Sequence, residues 1–157
     1  MILYKHKINN MENQTITLEQ VLNAPVSRVW KVLTDKVEMK NWYFDLAEFI
    51  PEAGCKFQFW GGPSPDNQYL HLCEVTEAIP EKKLAHSWRY DGYQGTTLVT
   101  FELLDQDGET LLKFTHEGID TFPKDNPDLA ISNFIIGWNY IIHTALKNYI
   151  ETGSIAM

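Results

Sequence analysis

Residues 127–152 of the chain are PDLAISNFIIGWNYIIHTALKNYIET, and this stretch predicts one long C-terminal helix. Asn126 is a good N-cap, Pro127 suits the first helical position, and Gly153 is a natural stop. One buried face is predicted by apolar residues that recur every three or four positions: Phe134, Ile135, Trp138, Ile142, Ala145, Leu146 and Tyr149. Five more apolar residues widen it: Ile131, Ile136, Tyr140, Ile141 and Ile150. Such a helix needs a broad, concave partner surface.

The segment before this helix has the period of β-structure. Six strand-length runs are bounded by turn residues: LAEFI (46–50), CKFQFW (55–60), YLHLCEVTEAI (69–79), KLAHSWRY (83–90), TTLVTFELL (96–104) and TLLKFTH (110–116). QTITLEQVLN (14–23) predicts a first strand, and two short helices are expected in VSRVWKVLTD (26–35) and VEMKNWY (37–43). The order predicts one α+β domain over residues 14–153, after a flexible extension at 1–13 and before a tail at 154–157.

Composition and charge exclude several classes of function. The net charge is −8 and no basic cluster stands out, so nucleic acid and anionic membrane surfaces are poor partners. Two cysteines, Cys55 and Cys73, are too few and too far apart for a disulfide framework or a zinc site. No signal peptide and no bilayer-length apolar run is found, which predicts a cytoplasmic protein.

The alternation within each run predicts which side chains face the helix. His71, Tyr90, Thr97 and His116 are expected in one row across four strands, with His71 and His116 about 14 Å apart. That separation is too large for two ligands of one metal ion, so no metal or cofactor is expected. The candidate ligand-pocket residues are His71, Cys73, His86, Trp88, Tyr90, Val99, Phe101, Phe114, His116, Ile135, Trp138, Ile142 and Tyr149.

Three functions stay open from the residues alone. An apolar inner face that carries a few polar groups is typical of a pocket for a hydrophobic or aromatic small molecule. A cyclase- or hydrolase-like enzyme would use a pocket histidine or Tyr90 as acid or base, although the chain carries no catalytic motif and a non-enzymatic role is favoured. A protein-interaction module would need an exposed apolar patch. For each histidine, the structural alternative is a hydrogen bond to nearby backbone.

Several segments resemble one known family. They are LNAPVSRVWKVLTDKVEMKNWY (22–43), GCKFQFWGG (54–62), IPEKKLAHSWRY (79–90), TLVTFELL (97–104), TLLKFTHEG (110–118) and GWNYIIHTALKNYIETG (137–153). Together they are similar to bacterial relatives of the C-terminal domain of the activator of the heat-shock-protein-90 ATPase. That group lies in the START-related, birch-pollen-allergen-like helix-grip (SRPBCC) superfamily.

The resemblance carries its own expectations for fold and function. It implies a seven-stranded antiparallel sheet wrapped around the C-terminal helix, with two short helices closing one end and a cavity between sheet and helix. The superfamily includes lipid and hormone carriers, polyketide cyclases, ring-hydroxylase components and co-chaperone domains, and it supplies no shared catalytic residue. The expected partner is a small hydrophobic ligand; a homodimer and a chaperone-related interaction are further expectations.

Overall fold

The computed structural model describes residues 14–155 of the chain, so the predicted extension at 1–13 and the last two residues of the predicted tail lie outside it. The elements up to residue 117 are β1 (Ile16–Leu22), α1 (Val26–Thr34), α2 (Lys36–Met39), β2 (Lys56–Ser64), β3 (Asn67–Ile79), β4 (Lys83–Tyr90), β5 (Thr97–Gln106) and β6 (Glu109–Glu117). Two 3₁₀ turns follow, at Ile119–Thr121 and Pro127–Leu129. The C-terminal helix comprises α3 (Ile131–Tyr140), a π-helical segment (Ile141–Leu146) and α4 (Lys147–Thr152).

The strands form one antiparallel sheet in the order β1-β6-β5-β4-β3-β2. The α+β class is confirmed, but within residues 14–155 the sheet has six strands, and the prediction of seven was wrong. The missing strand is LAEFI (46–50), in which only Leu46 and Phe49 are buried. That spacing of three does not match the two-residue alternation of a strand. Ile50 is exposed there and donates its backbone N–H to Cys55 Sγ over 3.3 Å.

Side-chain alternation places an apolar inner face on the sheet, as the sequence predicted. On β4 the inward residues include Leu84, His86, Trp88 and Tyr90, which are all buried. On β3, where the sequence was least clear, the inward set is Tyr69, His71, Cys73 and Val75. A one-residue slip would turn all of these side chains outward, so burial of one face determines which alternate residues of each strand point inward.

The offset between neighbouring strands differs from the prediction. His71 lies opposite Tyr90 as expected, but Thr97 pairs with Trp88. Val99 pairs with both His86 and His116, so His116 lies in the row of His86 and not in the row of His71. The cause lies in the loops that join β4 to β5 and β5 to β6, which set the offset of each strand pair and which alternation does not reveal.

The C-terminal helix begins four residues later than predicted. Asn126 does act as a cap, because its side chain accepts the backbone N–H of Asp128 over 3.0 Å, but it caps only the 3₁₀ turn. Ala130 is extended (φ −74°, ψ 145°) and separates that turn from α3. Gly153 ends the helix in the left-handed region at φ 78°, as predicted.

The buried face of the C-terminal helix is narrower than predicted. Its fully buried members are Ile131, Trp138, Ile142, Ala145 and Leu146. Two of the residues expected to widen the face are exposed instead, Ile136 by 70% and Tyr140 by 48%. The curved sheet therefore covers one side of the helix and leaves the other open. Within residues 14–155, no helix is both long and apolar enough to span a bilayer.

A polar cluster holds the far end of the C-terminal helix against the two short helices. Arg28 on α1 makes a bidentate pair with Glu38 on α2, with N–O distances of 2.6 and 3.2 Å. The hydroxyl of Tyr149 on α4 donates to the same carboxylate. Asn41 donates its side-chain N–H to the Tyr149 oxygen over 3.2 Å. The Arg28 guanidinium is the main reason why the pKa of Glu38 lies below its usual value.

Candidate functional site

A cavity of about 510 Å³ lies between the inner face of β2–β4 and the first turns of α3. That volume is in the range of small-molecule sites. Its walls are formed by side chains and backbone from the sheet, from the turn before α3 and from α3 itself: Phe44, Gly61, Gly62, Pro63, Tyr69, His71, Trp88, Tyr90, Asp128, Leu129, Asn133, Phe134, Ile136, Gly137, Trp138 and Ile141. Most of these residues are apolar or aromatic.

Aromatic rings in mutual contact form the sheet side of the cavity. The ring of Trp88 lies 5.4 Å from that of Trp138 on the helix, measured between centroids. His71 is edge-on to Trp88 at 4.9 Å and to Tyr90 at 4.7 Å. Phe44, from the segment after α2, tilts against His71 at 6.1 Å. Rings packed in this way have fixed orientations, so they offer a preformed surface to a flat apolar molecule.

Glycines leave room where the walls approach each other. A Cβ atom at Gly61 would lie 3.2 Å from His71 Cε1, so Gly61 allows β2 to pass close to the histidine ring. A Cβ atom at Gly137 would meet nothing within 4 Å. Glycine inside a helix costs about 1 kcal/mol relative to alanine, and no packing contact requires it here. The absence of a side chain at position 137 contributes to the open volume.

A cluster of polar side chains forms one end of the cavity. The Tyr69 hydroxyl donates to Asp128 Oδ2 over 2.8 Å, and Asn67 Nδ2 donates to the same oxygen over 2.8 Å. Asn126 Nδ2 donates to the Tyr69 oxygen over 3.1 Å. Of the residues that the structure describes, Asp128 is the only acidic one that lines the cavity, and no lysine or arginine lines it. The cluster gives an otherwise apolar pocket one end with a negative charge.

His71 and Tyr90 are neutral polar groups in the cavity wall. The ring nitrogen Nδ1 of His71 donates to the carbonyl oxygen of Tyr69 over 3.0 Å. Burial lowers the pKa of His71 to about 4, so its ring is uncharged at neutral pH. The Tyr90 hydroxyl accepts a hydrogen bond from Trp88 Nε1 over 3.0 Å, and burial raises its pKa. Tyr90 therefore keeps its proton and can donate it to a ligand.

His116 lies deeper, in a hydrogen-bond chain that joins the helix to the sheet. Trp138 Nε1 donates to His116 Nδ1 over 2.9 Å, so the opposite nitrogen carries the proton. That nitrogen, Nε2, donates to Thr97 Oγ1 over 2.7 Å, and Thr97 donates to the carbonyl oxygen of Trp88 over 2.8 Å. Burial lowers the pKa of His116 to about 3. Both ring nitrogens are used, so the role of His116 is to orient the Trp138 indole.

His86 is buried beside this chain and has a different environment. Its Nδ1 atom donates to the carbonyl oxygen of Ser87 over 2.9 Å. Within residues 14–155, Nε2 of His86 has no hydrogen-bond partner. Burial lowers the pKa of His86 to about 4. Neither His86 nor His116 lines the cavity, so a cavity ligand has no direct access to them.

Four of the predicted pocket residues line the cavity: His71, Trp88, Tyr90 and Trp138. Seven others are buried in the surrounding core: Cys73, His86, Val99, Phe101, Phe114, His116 and Ile142. Ile135 is half-buried on α3, and Tyr149 belongs to the polar cluster at the far end of the helix. Side-chain alternation identified the buried face correctly. Most side chains of that face pack against one another in the core and do not line the cavity.

Several lining residues were not found by sequence reasoning. Phe44, Asp128 and Leu129 lie in segments without regular period, so alternation gave no signal for them. Asn133 and Phe134 are on α3, and Phe134 was predicted only as part of the helix face. The one usable sequence signal was the Asn-Pro-Asp turn at 126–128, which places polar side chains immediately before an apolar helix.

A second depression, of about 420 Å³, lies on the outer face of the sheet. It is lined mainly by outward-pointing polar residues, among them Lys56, Gln58, Glu74, Ser87 and Arg89. A groove lined by charged side chains and open to water has little to offer an apolar ligand. Over the described part of the chain, no three His, Cys, Asp or Glu residues are grouped as they would be around a metal ion.

Comparison with known proteins agrees with this architecture. The sequence matches the family described as Activator of Hsp90 ATPase homolog 1-like protein over residues 23–151. No curated protein matches it at a significant level.

Solved structures share the fold at low sequence identity. Protein CV1439 from Chromobacterium violaceum has a TM-score of 0.73 at 21% identity, over 88% of this chain and 97% of that one. DynU16, from the dynemicin biosynthetic locus, has a TM-score of 0.73 at 20% identity over 90% of this chain. This chain spans only 49% of DynU16. A dimeric protein from Colwellia psychrerythraea, named Aha1, has a TM-score of 0.66 at 19% identity, over 88% of this chain and 97% of that one.

Proposed function

Because this chain belongs to the Activator of Hsp90 ATPase homolog 1-like family and has a cavity between its sheet and its C-terminal helix, we propose that it binds a small hydrophobic or aromatic molecule in that cavity. The observation that carries the proposal is the cavity of about 510 Å³ with aromatic walls and one polar end. Apolar pockets with a few fixed polar groups are the usual form of small-molecule sites.

The chemistry of the wall supports binding more strongly than catalysis. His71 and Tyr90 are the titratable groups of the predicted acid–base set that reach the cavity. His71 has one nitrogen committed to the Tyr69 carbonyl oxygen and a pKa of about 4, which makes it a weak base at neutral pH. His116, the other strong candidate, uses both ring nitrogens in the core.

Gly137 offers a direct test of the proposed site. A Cβ atom at this position would meet nothing within 4 Å, so the side chain of Gly137→Leu is expected to extend into the cavity from the helix side. A library of lipids and aromatic compounds would be screened by thermal shift, with native mass spectrometry of the freshly purified protein. Compounds that raise the melting temperature of the wild type are expected to lose that effect in Gly137→Leu.

The matched control is Ser132→Leu, which adds the same side chain at an exposed position of α3 that does not line the cavity. Ligand responses are expected to persist in that variant. If no compound shifts the wild type and no ligand co-purifies, the binding proposal is wrong. If compounds shift Gly137→Leu as strongly as the wild type, they bind elsewhere.

An enzyme of the cyclase or hydrolase type is the second candidate. It is favoured by one observation: the rings of His71 and Tyr90 lie 4.7 Å apart and both line the cavity. Such an enzyme would turn over a cavity ligand, and Tyr90→Phe would abolish turnover while it left binding within a few-fold of the wild type. A bound ligand that is recovered chemically unchanged after long incubation would exclude this candidate for that ligand.

A homodimer and a chaperone partner are further proposals for this chain. The Colwellia psychrerythraea relative is described as a dimer. On this chain, Tyr140 and Ile136 present exposed apolar surface on α3, and Ile136 also lines the cavity. Sedimentation velocity over a wide concentration range tests self-association, and a constant monomer value would contradict a dimer. A pull-down with the cell's own Hsp90 that recovers nothing would contradict the chaperone proposal.

A further inference from the structure

We propose that the molecule held in this cavity is an organic cation, an aromatic or alkyl-substituted ammonium, whose charged group lies at the Asp128 end. This inference rests on the proposed binding function and narrows it to one class of ligand. It is carried by the charge of the cavity wall, by the arrangement of the Asp128 carboxylate and by the aromatic rings around the same space.

Among residues 14–155, the charged side chains that line the cavity have one sign only. In that part of the chain Asp128 is the single acidic residue of the lining, and no lysine or arginine belongs to it. Of the acidic side chains that the structure describes, those that form ion pairs are Glu38, Glu77 and Glu151. The Asp128 carboxylate is not one of them. His71 does not neutralise it, because burial keeps that ring uncharged near pH 7. The Asp128 carboxylate therefore offers an unpaired negative charge to a positively charged group of a ligand.

Only one oxygen of the Asp128 carboxylate accepts side-chain hydrogen bonds within the described residues. Asn67 and Tyr69 both donate to Oδ2, each over 2.8 Å. Its Oδ1 atom accepts no hydrogen bond from any of residues 14–155. The two neutral donors fix the orientation of the group without cancelling its charge. A ligand carboxylate or phosphate would meet this fixed negative charge with no basic partner nearby, so fatty acids and other anions are disfavoured.

The surrounding rings add attraction for the same kind of ligand. Tyr69, Trp88, Tyr90, Phe134 and Trp138 all line the cavity. The face of an aromatic ring carries negative partial charge, and it attracts a cation within about 6 Å of the ring centre. Quaternary ammonium groups are bound in this way because their charge is spread over methyl groups that also pack against apolar surface. Carboxylate and rings therefore favour one ligand class.

A pair of isosteric probes separates charge from shape. Trimethylphenylammonium and tert-butylbenzene have the same outline and differ in a charged nitrogen in place of a carbon. Their binding to the full chain would be measured by ligand-observed NMR titration at low ionic strength. We expect the cation to bind at least about tenfold more tightly than the neutral probe, which corresponds to about 1.4 kcal/mol.

Asp128→Asn tests which group makes the distinction. The amide keeps an oxygen that can accept from Asn67 and Tyr69, but it removes the charge. We expect this variant to lose about tenfold in affinity for the cation and to bind tert-butylbenzene as the wild type does. Asp125→Asn is the matched control, since Asp125 is exposed, does not line the cavity, and changes the net charge equally. It is expected to leave both affinities unchanged.

The salt dependence of the wild type gives a second readout that needs no variant. Raising the sodium chloride concentration is expected to weaken binding of the cation and not of the neutral probe. Equal affinities for the two probes, or an unchanged preference in Asp128→Asn, would overturn the cation inference while the binding function stands. If neither probe binds and the broader library also fails to bind, both the inference and the proposed function are overturned.

Discussion

At the scale of single residues, the inward histidines differ in what their nitrogens contact. His116 links Trp138 to Thr97 through both ring nitrogens. His86 has one nitrogen without a partner within the described residues. A buried polar atom that loses its partner costs about 1–3 kcal/mol. The two histidines are comparably buried, so the contacts of their nitrogens decide what each substitution costs.

We therefore predict unequal losses of stability in two parallel variants. His116→Leu leaves the Trp138 indole N–H without an acceptor and removes a donor from Thr97, so the free energy of unfolding should fall by about 2–4 kcal/mol. His86→Leu removes one hydrogen bond, from Nδ1 to the carbonyl oxygen of Ser87, and replaces an unpartnered Nε2 by apolar atoms, so it should cost less, about 1 kcal/mol. Urea denaturation followed by tryptophan fluorescence measures both. Equal losses would show that the hydrogen-bond chain adds nothing.

At the scale of elements, the C-terminal helix contains a glycine that its own stability does not require. Gly137 lies in the interior of α3 with helical backbone, and a Cβ atom there would contact nothing. We predict that Gly137→Ala raises the free energy of unfolding by about 0.5–1 kcal/mol. Thermal and urea denaturation test this result. A lower stability in Gly137→Ala would mean that the position is constrained by a contact that the structure does not contain.

How far the sequence predicts each element depends on what sets its geometry. The inner faces of β3–β6 followed from alternation, because one face of each strand must be buried. The pairing of His116 with Val99 did not follow, since the offset of β5 and β6 is set by the turn at Asp107 and Gly108. LAEFI (46–50) has the composition of a strand but buries residues three apart, so it connects α2 to β2 without pairing.

The candidate site was predicted only where it is built from regular elements. His71, Trp88, Tyr90 and Trp138 were identified because strand and helix periodicity point them inward. Asp128, the residue that gives the cavity its charge, lies in a short turn whose direction no periodic pattern determines. Loops that close over a scaffold are positioned by tertiary contacts, such as the hydrogen bond from Tyr69 to Asp128, and not by local sequence.

At the scale of the whole molecule, three buried neutral histidines link folding to pH. Burial lowers the pKa of His71 and of His86 to about 4, and that of His116 to about 3. In the unfolded chain each has a pKa near 6.5. Between these values the unfolded state binds more protons than the folded state, so stability falls as the pH is lowered from about 6.5 to about 4.

We predict a decrease of up to about 1.4 kcal/mol per pH unit for each of these histidines. Urea denaturation at several pH values between 7.5 and 4.5 measures it. His86→Leu serves as the control, because it should reduce the slope by the share of one histidine. Acidification also lowers the stability of the protein by protonating paired carboxylates such as Glu38. This contribution is the same in the wild type and in His86→Leu, so it cancels when the slope of one is subtracted from that of the other. A stability that does not change from pH 6.5 to 4.5 would contradict the prediction.

The π-helical segment Ile141–Leu146 also affects how this chain should be compared with its relatives. A π turn accommodates one more residue than an α turn, so it acts as a local insertion within the helix. Removing one residue here would convert the wide turn into an ordinary α turn and leave Trp138 and Leu146 facing the same partners as before. An alignment gap at this segment therefore marks relatives whose helix runs in regular α turns with the same residues facing the sheet.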